Sequence, residues 1–117
     1  PPEEAALVKQ HILSRLSEDV GFSILRAVQG IGAFVAPNEV GQFVDAMVRT
    51  IIWGKTEPLK KKARECIETE YWEMNEEAKK GMMKRLDDWI RHFRHKDQAE
   101  FAGTIEEMKA FLDIVAF

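Results

Sequence analysis

The side chains best placed for chemistry in this 117-residue chain are five cations around the start of a predicted helix: Lys55, Lys60, Lys61, Lys62 and Arg64. A helix N-terminus carries partial positive charge, so cations in its first turns oppose the macrodipole. The free N–H groups at the same end favour an anion. A bound phosphate or an acidic partner would reconcile the two tendencies, which makes these five the candidate partner- or anion-binding residues. The competing reading is a solvated face, helped by Lys61–Glu65 and Arg64–Glu68 at helical pairing distance. No glycine-rich loop precedes the helix, so a nucleotide-binding turn is not indicated.

Other constellations are thinner. Arg91, His92, Arg94, His95 and Lys96 form a second basic cluster at the end of a helix, where cations suit the dipole. His92 and His95 lie three apart with Asp88 near, but a further ligand at zinc-site spacing is missing and His11 is distant, so no metal is expected. Glu65, Glu68, Glu70, Glu73, Glu76 and Glu77 read as a solvated surface, with no histidine or nucleophile positioned to form an acid–base pair. Cys66 falls on an apolar face and reads as a small buried hydrophobe. No catalytic residue, no cofactor and no enzymatic activity are therefore expected. Tyr71 and Trp72, at the edge of an apolar face, are candidate interface aromatics.

The elements that must position these groups are helices, because strand alternation is nearly absent. A first helix over about 3–16 has Leu7, Ile12, Leu13 and Leu16 as its apolar set. Ser17 is the expected N-cap of a second, with Glu18 and Asp19 at its positive end. Phe22, Ile24, Leu25, Val28, Ile31 and Phe34 cover nearly all of that helix, too wide an apolar surface for one facing solvent. Pro37-Asn38 breaks the chain before a third helix, Glu39–Trp53, whose narrow polar stripe is Glu39, Gln42, Asp45 and Arg49, with Asp45 and Arg49 at pairing distance. Gly54 ends it. Thr56 is a cap for a fourth helix, Asn75 caps a fifth unless the fourth simply runs on into it, and Thr104 with Glu107 forms a capping box for the last. Core-facing residues in these three are Leu59, Ala63, Cys66, Ile67 and Met74; then Met82, Met83, Leu86, Trp89, Ile90 and Phe93; then Ile105, Met108, Phe111, Leu112 and Val115.

Charge sorts these helices. Residues 1–54 carry only ten of the thirty-seven charged side chains. The expectation is an all-α, compact bundle of five or six helices around a central apolar helical hairpin (about 18–53), with residues 1–117 as a single helical domain. Gly32 and Ala36, four apart, mark a close helix approach there, beside the strip Ala27, Gly30 and Ala33; alternatively, Gly30-Ile31-Gly32 marks a kink or a local end of the second helix. Membrane insertion is not expected: neither arm has about twenty uninterrupted apolar residues, and Arg26, Asp45 and Arg49 fall within the span.

A net charge of −3 argues against a surface that is basic throughout, as a general nucleic-acid footprint would require. The lone Cys66 excludes an internal disulfide and suits a reducing, cytoplasmic setting. Pro1-Pro2-Glu3-Glu4 is unlike a secretory leader, and the missing initiator Met suggests a domain excised from a larger protein or a processed chain. The function expected is that of a non-enzymatic helical protein–protein interaction domain of a larger intracellular protein or assembly. Nucleic-acid or phosphate binding through the turn Lys60–Arg64 is the alternative, a small-molecule pocket between helices ranks third, and a homo-oligomer stays open.

Overall fold

The computed structural model describes residues 2–16 and 20–115, which form six α-helices and one 3-10 turn, with no strand among the described residues. The helices are α1 (Pro2–Arg15), α2 (Phe22–Val28), α3 (Val40–Trp53), α4 (Glu57–Glu73), α5 (Glu76–His95) and α6 (Ala99–Val115); the 3-10 turn, Gly32–Phe34, lies between α2 and α3. The expected all-α bundle is what forms. α3 is its centre, packed against α4 and α5; α6 lies along α5, α2 and the 3-10 turn sit on α4, and α1 covers α2 and that turn. Phe43, Val44, Met47 and Val48 of α3 are fully enclosed, whereas Gln42 and Arg49 on its polar stripe face solvent.

The caps of α4 and α5 are the expected ones. The Thr56 hydroxyl accepts the N–H of Leu59 at 3.3 Å, and the Asn75 side chain accepts that of Ala78 at 2.8 Å. The Ser17 cap with Glu18 and Asp19 lies outside the described residues, as does the side chain of Val115.

The central hairpin needs correction. Its first arm is no long helix: α2 stops after seven residues, and Gly30 follows with φ of +93°, a conformation glycine holds without strain. The second arm, α3, therefore packs against α4 and α5 rather than against a partner arm, and Phe22 and Phe34 stay exposed. The close approach at Gly32 is real, but it is made with α4. A Cβ at Gly32 would stand 2.5 Å from the Glu70 carbonyl oxygen and 3.0 Å from Glu73 Cβ.

The last helix also starts earlier than its capping box implied. α5 ends in a Schellman-type closure: Asp97 adopts φ of 58°, Asp97 N–H donates to the Arg94 carbonyl at 3.1 Å, and Gln98 N–H donates to the Phe93 carbonyl at 2.8 Å. That closure turns the chain within three residues, so α6 begins at Ala99, and the Thr104 hydroxyl donates back to the Glu100 carbonyl instead of capping. Two further expected core residues prove to be outside: Phe111 is exposed, and Leu7 is 71% exposed.

Candidate functional site

α4 begins where Gly54 ends α3, and the connection is tight enough that a Cβ at Gly54 would lie 2.4 Å from the Thr50 carbonyl. α4 then packs back along α3, which sets its first two turns beside Ile51 and Ile52. The start of α6 closes the other side. The result is a groove of about 420 Å³ lined by Ile51, Ile52, Glu57, Lys60, Lys61, Arg64, Glu100, Phe101 and Thr104.

Three of the five candidate cations thus share one groove. Lys60 pairs with Glu57 at 3.5 Å and Arg64 with Glu68 at 3.1 Å. Lys61 is exposed, and the pair expected with Glu65 is not formed among the described residues. The other two cations lie elsewhere. Lys55 lines a separate cleft of about 470 Å³ with Arg49 and Trp53, while Lys62, half-buried, acts electrostatically on Cys66.

An aromatic seam ties the groove to the second basic cluster. Trp53, 53% exposed at the end of α3, meets Phe93 at 5.8 Å and Phe101 at 6.0 Å between ring centroids, and Phe93 meets Phe101 at 5.5 Å. Both basic clusters therefore occupy the same end of the bundle. Their field is diluted there, because Arg94 pairs with Glu106 and Arg91 with Asp88.

The carboxylates do not all form the solvated surface expected of them. Glu70 is only 1% exposed. Its Oε1 accepts two backbone N–H groups, from Gly30 and Gly32, each at 2.9 Å, and its Oε2 is buried without a partner among the described residues. The spacing already pointed there: Ala63, Cys66, Ile67, Glu70 and Met74 fall on one helical face, and only the residue type argued otherwise. The turn ahead of α3 leaves these N–H groups without helical acceptors, so a buried acid from α4 supplies one.

Cys66, one turn before Glu70, is fully buried. Burial pushes its thiol up to about 11, Glu70 and Glu65 add to the rise, and Lys62 opposes it. Tyr71 is buried rather than an exposed anchor. Its ring stacks edge-on to Trp72 at 5.7 Å, the Lys79 ammonium sits 5.5 Å from its centroid, and burial, then Asp113 and Glu76, push its hydroxyl pKa up. Of the two candidate aromatics, only Trp72 is partly open to a partner.

Asp45 has a different partner from the one its helix offered. Arg85 holds it bidentately at 2.6 and 2.8 Å, and the Trp89 indole N–H donates to it at 2.8 Å. Burial pushes the Asp45 carboxyl up, but the hydrogen bonds from Arg85 and Trp89 and the charges of Arg85 and Arg49 outweigh it, holding the carboxyl below its ordinary 3.8. Among the described residues, no three His, Cys, Asp or Glu are grouped to hold a metal ion, and no helix is long and apolar enough to cross a membrane. No family model matches the chain, and no curated protein or solved structure matches it.

Proposed function

We propose that this chain is a non-enzymatic helical interaction domain, acting within a larger intracellular assembly, that seats an acidic amphipathic segment of a protein partner between α3, α4 and α6. The observation that supports the reading is the lining of that groove. Lys60, Lys61 and Arg64 line it together with the apolar side chains of Ile51, Ile52 and Phe101. Apolar residues of a docked helix at i, i+3/i+4 and i+7 would meet the floor, and its carboxylates would meet the cations. Lysine and arginine stems add apolar area while their heads stay wet. Nucleic acid is the weaker reading because phosphate binding scales with the number of cations engaged, and only three stand here beside apolar side chains that a phosphate backbone does not use.

The test is a fluorescence-anisotropy titration with two probes, a helical peptide of Glu and Leu at amphipathic spacing and an oligonucleotide of equal charge. The peptide is expected to bind, and Lys60→Glu/Lys61→Glu is expected to weaken it about tenfold or more. Oligonucleotide binding that collapses with salt, with no peptide binding, would transfer the groove to the phosphate-binding alternative.

A further inference from the structure

We propose that two copies of this chain pair through the outer face of α1, antiparallel about a two-fold axis between Leu7 and Val8. α1 turns Ile12 and Leu13 into the core, and Leu16, the residue after its end, continues the same apolar line. At 3.6 residues per turn, Leu7 lies about 180° around the helix from the mean of those three, at its most solvent-facing position. Leu7 is 71% exposed there. Val8 beside it is 56% exposed.

Glu4, Leu7, Val8 and His11 are all exposed and follow the spacing i, i+3, i+4, i+7 of a single helical seam. That seam is complementary to itself when reversed. An antiparallel second copy sets Leu7 against Val8 at the centre and Glu4 against His11 at both ends, the reciprocal pairing a two-fold interface requires. A parallel pair would set carboxylate on carboxylate and imidazole on imidazole.

The contact extends beyond one helix. Glu4 and Val8 also line a groove of about 400 Å³ whose far wall includes Ala27, Ile31 and Phe34, with the Phe34 ring 51% exposed. A leucine arriving over Val8 lies beside that ring. α1 itself is held in place by Lys9 and Gln10, which bond Glu39 at 2.9 and 3.2 Å, so the face is preformed. A contact made by one helix face and one ring is small, and assembly depends on concentration. The α3–α4–α6 groove is built from other residues and stays open in the dimer, so either proposal can fail without the other.

Sedimentation velocity over a range of concentrations tests the pairing, with a thermal melt of each variant as a folding control. Wild type is expected to move from monomer to dimer as concentration rises, and Leu7→Glu to stay monomeric with an unchanged melt. Glu4→Lys alone and His11→Glu alone are expected to weaken the dimer, and the double variant Glu4→Lys/His11→Glu to restore it. A wild type that is monomeric throughout overturns the proposal, as does a Leu7→Glu dimer of undiminished affinity. Single variants that weaken the dimer without recovery in the double variant overturn the antiparallel register.

Discussion

In the first two turns of α4, Lys60, Lys61 and Arg64 look into an open groove, while further along the same helix Glu70 is shut away from water and carries two backbone N–H groups on one oxygen. The cations keep their heads hydrated and contribute little to folding. The acid is buried because a turn elsewhere lacks acceptors, and it contributes through hydrogen bonds that no other side chain supplies. Where a charge settles thus depends on what needs it. One half of α4 is available for recognition, and the other is committed to joining the α2–α3 connection to the core.

The largest effect that sharpens this contrast belongs to Gly32→Leu. Its side chain would enter a space where even a Cβ meets the α4 backbone at 2.5 Å. A loss of about 3 kcal/mol in a urea melt is expected, the upper range for overpacking. Glu70→Ala comes next, at about 2 kcal/mol, because it leaves the Gly30 and Gly32 N–H groups without their acceptor. Glu70→Gln keeps an acceptor oxygen and should lose about half as much. Glu68→Ala, on the half-buried flank of the same helix, should stay within about 0.5 kcal/mol. Equal losses for Glu70→Ala and Glu68→Ala would erase the distinction between the two regions.

Acid titration gives a smaller effect from a third carboxylate. The folded pKa of Asp45 lies below its ordinary 3.8, so the native state binds fewer protons than the unfolded chain near that pH. The stability it contributes is present above 3.8 and is lost as pH falls through the folded value. Glu39 behaves alike below its ordinary 4.5: burial pushes it up, but the Ala36 N–H and Lys9 outweigh that and hold it down. Stability measured against pH should therefore fall on acidification in this window, and Asp45→Asn should flatten the fall.

Local signals carried much of this architecture. The Thr56 and Asn75 caps, the α3 boundaries and the apolar faces of α4 and α5 follow from short-range periodicity and hydrogen bonding, which need no tertiary information. What could not be read was set by distant partners. The Gly30-Ile31-Gly32 break shows in the sequence, but the carboxylate forty residues away that takes up its N–H groups does not, and the Asp45–Arg85 pair joins α3 to α5 across a similar separation. The start of α6 was misplaced because Thr104 and Glu107 match a cap while Asp97, not glycine, makes the turn. For the site, sequence position grouped Lys55, Lys60, Lys61, Lys62 and Arg64 at one helix start, and only packing against α6 separates Lys60, Lys61 and Arg64 from the other two.

The most direct measurement is a thermal melt paired with a peptide titration on Lys60→Gln/Lys61→Gln. These side chains oppose their own helix dipole, a placement that costs each about 0.3–1 kcal/mol at low salt. Recognition as their purpose predicts a melt unchanged or slightly raised together with markedly weaker binding of the acidic amphipathic peptide. A lowered melt, or peptide binding equal to wild type, would contradict it.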